Sequence, residues 1–225
     1  MGLSTKDVNT EGGESFTNKT IQPGNVEARV TSITLDRPAF LDADEGYYFI
    51  VNLETKKPTD DFEGFLLDKD EPEGGRFDGQ VGKVKVSKWP FKDNTFKGIQ
   101  IKRDIEILKN IKHICTELGL EKWWTKVDEK YDTIEEFVDA FNKDKPFKDK
   151  YINFCICGRE YFNKAGYSAY DLYLPKFVKD KKPYSKNTDE VIVFNADRDI
   201  DYAVKPTAVQ DFGAAGKDIP EEFEL

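Results

Sequence analysis

The sequence predicts a mainly β domain with a helical insert, an α+β architecture built on a five-stranded Greek-key barrel and followed by a flexible acidic tail. Three observations lead there. Several short stretches alternate apolar and polar residues, the period of half-buried strands; midway along the chain that period lengthens to the helical one; and beyond residue 187 it fades while acidic residues accumulate. With 225 residues the chain is long enough for one domain with a substantial core.

Residues 1–24 are rich in Gly, Ser, Thr and Asn and read as a flexible segment. No basic cluster followed by an apolar stretch occurs there, so no secretory or transit leader is expected. In residues 25–35, Val26, Ala28 and Val30 alternate with Glu27, Arg29 and Thr31, giving a first strand. Residues 47–53 (YYFIVNL) are β-branched and aromatic and lie between Gly46 and Pro58, giving a second. Residues 62–67 read as a short third strand ahead of an acidic Gly- and Pro-rich loop at 68–75. Residues 80–89 then place Val84 and Val86 on one face of a strand and Lys83, Lys85, Ser87 and Trp89 on the other.

The period then changes. Ile105, Leu108, Ile111, Cys115 and Leu118 recur at three and four over residues 102–118, an amphipathic helix ended by Gly119. Thr133 and Glu136 form a capping box for a short helix over 134–141, and Trp123 and Trp124 are expected to pack against the barrel. Residues 151–157 (YINFCIC) and 169–174 (AYDLYL) read as strands joined by a loop at 158–168. One apolar run, 191–194, interrupts the remainder, and residues 187–225 read as a mobile tail. This element order, with a helix between the third and fourth main strands, matches the OB-fold.

Charge is segregated along the chain. The net charge is −9, yet residues 76–126 carry net +6 and residues 143–186 net +6, against net −8 over 36–75, −5 over 127–142 and −7 over 187–225. Two basic blocks in an acidic protein create local positive potential suited to a polyanion, while the remaining surface limits nonspecific adhesion. Three cysteines cannot form an even disulfide framework and read as reduced thiols, which points to a cytoplasmic protein; no apolar run approaches the roughly 20 residues of a membrane span.

Catalytic equipment is sparse. There is one histidine, His113, and neither a nucleophile elbow nor a phosphate-binding loop is present. Zinc is disfavoured as well, because His113 and Cys115 diverge on a helix. No cofactor and no metal are therefore expected, and the abundant carboxylates Asp42, Asp44 and Glu45 read as solvated loop charge.

The stretch Gly82-Lys83-Val84-Lys85-Val86-Ser87-Lys88-Trp89, the helix after it, the segment Gly158-Arg159-Glu160-Tyr161-Phe162-Asn163-Lys164-Ala165-Gly166-Tyr167 and the acidic end resemble bacteriophage single-stranded DNA-binding proteins with an OB-fold. That resemblance spans residues 26–176 and the tail. It implies a non-enzymatic protein of the host cytoplasm, monomeric or homodimeric, that protects unpaired DNA during replication and recombination. It also implies that the tail recruits replication proteins such as a polymerase, helicase or primase. The matching tail residues are Asp218, Ile219, Pro220, Phe223 and Leu225, similar to an Asp-Ile-Pro-Phe ending but split by Glu221 and Glu222.

Sequence-tolerant binding of single strands needs cations along the backbone path and rings on which bases stack. The first basic block supplies Lys83, Lys85, Lys88, Trp89, Phe91, Lys92 and Lys97. The second supplies Arg159, Tyr161, Lys164, Tyr167 and Tyr173, with Tyr173 expected on the face of Tyr167. Phe96, Phe162 and Tyr170 suit a barrel core equally well. The acidic tail is expected to compete with DNA for the basic groove. Two rival readings are a virion-associated or structural β-rich protein and a nuclease-like accessory enzyme.

Overall fold

Alternation over residues 25–35 becomes β1 (Gly24–Asp36), which pairs antiparallel with β2 (Gly46–Thr55). Val26, Ala28, Val30, Ile33, Phe49, Val51 and Leu53 are all buried on the shared inner face. A register shift between Val30 and Ser32 acts as a bulge and keeps Ile33 opposite Val51 on the core side. The computed structural model describes residues 20–41, 45–56, 80–164 and 166–204, and these form a mainly β domain with a mixed sheet and four helices. The expected strand at 62–67, the acidic loop at 68–75, Asp42 and Asp44 lie outside the described residues.

β3 (Val81–Lys85) adds to β2, with Val84 opposite Val51. It ends four residues earlier than its alternation predicts. Ser87 Oγ accepts the Trp89 N–H at 3.2 Å and turns the chain, and Pro90 has no N–H with which to continue a ladder. Pairing with β2 resumes in β4 (Phe91–Lys92), opposite Gly46 and Tyr47. β5 (Asn94–Phe96) and β6 (Ile99–Ile101) then form a separate two-stranded hairpin.

Three helices follow: α1 (Arg103–Glu117), α2 (Glu121–Val127) and α3 (Ile134–Asp144). α1 buries Ile107, Ile111, Ile114 and Cys115, so its core face is rotated from the expected stripe and Ile105 is 51% exposed. α2 carries Trp123 and Trp124, whose ring partners are Phe137 and Phe141 of α3. Thr133 caps α3 by accepting the Glu136 N–H at 3.2 Å, but the Glu136 carboxylate reaches back to the N–H of Asp132 rather than of Thr133. Asn142 ties α3 to the sheet: its amide bonds both the N–H and the carbonyl of Ile33, at 2.9 and 2.7 Å, past the end of the β1–β7 pairing.

β7 (Tyr151–Phe162) pairs antiparallel with β1 through its first half and with β8 (Ser168–Tyr173) through its second. β8 meets β3 in parallel at Val84↔Leu172 and Lys85↔Tyr173. The hydrogen-bonded path β1–β2–β3–β8–β7 therefore returns to β1. β7 runs beyond Cys157, so Arg159 and Tyr161 stand on a strand and not in a loop. Gly158, which suggested a turn, is a strand residue opposite Leu172; a Cβ there would lie 2.5 Å from Pro23 Cγ and 3.0 Å from Tyr170 Cδ1. Its glycine serves close approach.

Both ends of the folded region lie further out than composition predicts. Ile21 is buried and its N–H donates to the Val81 carbonyl at 3.0 Å, so the domain starts ahead of residue 25. Residues 187–204 are not part of a mobile tail. They contain a 3-10 turn (Thr188–Glu190), α4 (Ala196–Asp199) and β10 (Ile200–Asp201), the last parallel to β7 at Gly158 and Arg159; just before them, β9 (Tyr184–Ser185) also pairs with β7. Local caps order this region: Asn187 and Asn195 accept the N–H groups of Asp189 and Asp197. Val191 and Ile192 bury against Cys155, and Asn25 bonds Ile192 O and Phe194 N. Cys115, Cys155 and Cys157 are free and buried. No helix among the described residues is long and apolar enough to cross a membrane.

Candidate nucleic-acid interface

β3 and β8 pair through only two residues, and the cause is local. Thr20 bridges to Val81 and Ile21 packs on Gly82, so the start of β3 already has a neighbour when β8 approaches. A groove of about 800 Å³ lies at this site, lined in part by Asn52, Lys83, Lys85, Tyr161, Tyr170 and Asp171. Lys83 is exposed; Lys85 is half-buried, 4.3 Å from the centre of the Tyr48 ring and 2.7 Å from the Asp171 carboxylate.

The bend after β3 brings the two basic stretches together. Lys88 lies over the Tyr173 ring at 5.6 Å and forms an ion pair with Asp201. Trp89 is 63% exposed, and the Arg159 guanidinium stands 5.8 Å from its ring centre. Arg159 Nε is 3.8 Å from Asp201 Oδ2, and the Tyr173 hydroxyl donates to the same oxygen at 3.5 Å. Asp201 is therefore the shared counter-charge of the cluster. The hydrogen bond from Lys88 outweighs the opposing effect of burial and holds its carboxyl below the usual carboxylate range, with lesser help from the Lys88 and Arg159 charges. Burial, followed by the Asp201 charge, pushes the Tyr173 hydroxyl up to about 12.

Other expected residues are distributed around this centre. Tyr161 is half-exposed on β7 at the groove wall, while Lys164 and Tyr167 are exposed in the loop between β7 and β8. That loop is closed by Asn163, whose N–H donates to Tyr167 O at 2.9 Å and whose side chain accepts the Tyr167 N–H at 3.0 Å. Tyr167 lies before β8 and so has no strand face to share with Tyr173. Lys92 is exposed on β4, and Lys97 occupies the β5–β6 turn with its ammonium 5.4 Å from the Phe96 ring centre. Phe91 is half-buried and packs against the core, so less of its ring is offered to a ligand than of Trp89 or Tyr167. Tail residues Asp218, Ile219, Pro220, Phe223 and Leu225 lie outside the described residues.

Three participants were not singled out by the sequence: Asp171, Asp201 and Tyr48. Asp171 was readable in principle, because it alternates with Tyr173 along AYDLYL and so shares its face. Asp201 had no such signal, since its neighbourhood lacks periodicity.

The arrangement offers rings, exposed cations and internal carboxylates that neutralise some of those cations, with no cluster of three or more metal-ligating side chains among the described residues. No protein-family model, curated protein or solved structure matches the chain.

Proposed function

We propose that the chain is a single-stranded DNA-binding protein of the bacteriophage type, an OB-fold barrel that coats unpaired strands during replication or recombination and recruits replication proteins through its acidic C-terminal end. The barrel reading is supported by the path of strand pairing that returns to β1, by the parallel meeting of β3 and β8, and by the placement of α1 to α3 between β3 and β7. The observation that carries the functional reading is the approach of Arg159 to Trp89, which joins the two basic stretches beside a groove lined by Lys83, Lys85 and Tyr161.

Asp171 and Asp201 do not prevent strand binding. Their pairs with Lys85 and Lys88 involve partly exposed side chains, and such pairs contribute only about 0.2–1 kcal/mol. Base stacking on a ring contributes about 1–3 kcal/mol per base, before counterion release is added. Phosphates therefore displace the carboxylates. The carboxylates in turn weaken adhesion of the empty groove to other polyanions.

Titration of intrinsic Trp fluorescence with oligo-dT, with duplex DNA as control, tests the proposal. Quenching by oligo-dT is expected. If Lys83, Lys85, Lys88 and Arg159 each meet a phosphate, log affinity falls with log salt with a slope of about −3, from roughly −0.7 per phosphate. No response at low salt would leave the structural or virion-associated reading in its place, and magnesium-dependent cleavage of the oligonucleotide would indicate an enzyme.

A further inference from the structure

The hairpin of β5 and β6 buries almost nothing. Phe96 and Ile99 are paired directly across its turn and are 62% and 68% exposed, and of its strand residues only Ile101 is half-buried, the others being exposed. Residues paired in this way point to the same side of the ribbon, so the tip presents a continuous aromatic and aliphatic surface. The turn is tight: Lys97 and Gly98 both take left-handed backbone, with φ of 50° and 78°. Glycine adopts that conformation freely, whereas lysine adopts it at a cost of roughly 1 kcal/mol. Neither the apolar tip nor the lysine at the turn is accounted for by packing in the described fold.

The base of the hairpin is anchored. Asp93 accepts from Lys102 Nζ at 3.0 Å and from the Arg103 N–H at 2.8 Å, bringing the two ends of the ribbon together. At about 3.3 Å per residue, a three-residue strand carries the tip roughly 10 Å from that anchor. Charge identifies the occupant. Residues 88–103 carry Lys88, Lys92, Lys97, Lys102 and Arg103 against one carboxylate, Asp93. Lys92 and Lys97 have no ion-pair partner among the described residues. Trp89, at the centre of the candidate interface, belongs to the same segment.

We infer that the hairpin tip is a second base-stacking contact for the unpaired strand, separate from the groove, in which Phe96 and Ile99 receive a nucleobase and Lys97 meets an adjacent phosphate. This inference rests on the single-strand reading above and extends the path of the strand beyond the groove. The left-handed turn holds the ammonium beside the apolar surface, so one base and its phosphate are met together.

The test uses the full chain with Phe96→Thr and Ile99→Thr combined, which keep β propensity while removing the stacking surface, and separately Lys97→Asn, which tolerates the left-handed turn. Affinity is measured for an oligo-dT of about 5 nucleotides, enough for the groove, and for one of about 20. The double variant is expected to bind the short oligonucleotide as the parent does and the long one about tenfold more weakly. Lys97→Asn is expected to weaken only the long one and to lower its salt slope by about 0.7. Unchanged binding of the long oligonucleotide, or an equal loss on both lengths, would overturn the inference. So would a loss of self-association in sedimentation without a change in DNA binding, which would assign the tip to a second copy of the chain. If the parent binds neither oligonucleotide, the single-strand reading itself fails, and that result is distinct from the others.

Discussion

Asp201, at the end of β10, is the acidic partner of Lys88 and lies 3.8 Å from Arg159, so one carboxylate serves cations from two distant stretches of the chain. β10 holds it there by pairing in parallel with β7 at Arg159 itself. Asp201 falls within the stretch 187–225 read from the sequence as tail, and it is held in the folded domain beside these cations.

Replacing Asp201 with Asn is expected to raise affinity for oligo-dT about two- to fivefold at low salt, the equivalent of losing exposed ion pairs that compete with phosphate. The gain shrinks as salt rises, because the electrostatic competition is screened. Fluorescence titration at two ionic strengths checks both effects; an unchanged or weaker affinity at low salt would show that Asp201 does not compete.

Trp89→Ala and Tyr161→Ala are each expected to weaken oligo-dT binding about tenfold with little change in melting temperature, because neither ring is buried in the core. Phe91→Ala should behave in the opposite way. It packs against the core, so its truncation lowers stability and leaves affinity of the folded protein near that of the parent. Thermal unfolding and titration on the same samples separate the two classes.

Gly158→Ala tests the seam between β7, β8 and the N-terminal segment. The added methyl meets Pro23 and Tyr170 at distances that require backbone or ring movement, and a loss of about 1–3 kcal/mol is expected in urea unfolding. A neutral result would mean that Pro23 and Tyr170 move aside freely.

Glu117 gives a pH-dependent signature. Burial alone would raise its carboxyl, but bonds from Lys182 at 2.8 Å, Ser185 at 2.9 Å and the Lys186 N–H at 3.2 Å outweigh burial and hold it below the ordinary range. A lowered folded value means that its stabilisation is complete above the unfolded value of about 4.3 and is lost as pH falls through the folded one. Glu117→Gln should therefore cost about 1–3 kcal/mol at neutral pH and progressively less below about pH 4. Parallel unfolding curves at every pH would contradict this.

Legibility followed from where order originates. β1 alternates because one of its faces is core, and β2 was legible from its β-branched and aromatic run; both signals are local to the strand. Trp89 was expected on the surface of a lysine-bearing strand; it reaches Arg159 because Ser87 and Pro90 bend the chain, which parity does not encode. Arg159 and Tyr161 were expected in a loop because Gly158 resembles a turn, whereas its glycine answers to Pro23, distant in sequence. Residues 187–204 lacked periodicity, and their order comes from asparagine caps and from Asn25, on the far side of the chain. α2 is a single short amphipathic segment whose adjacent tryptophans mask any helical period.

The most direct measurement is ultraviolet cross-linking of oligo-dT to the full chain, followed by mass spectrometry of the attached peptides. Cross-links to peptides containing Trp89 and to peptides containing Tyr161, both suppressed at high salt, are the predicted result. Attachment confined to one of these two stretches, or found at Trp123 and Trp124 instead, would contradict a single strand-binding surface shared by both.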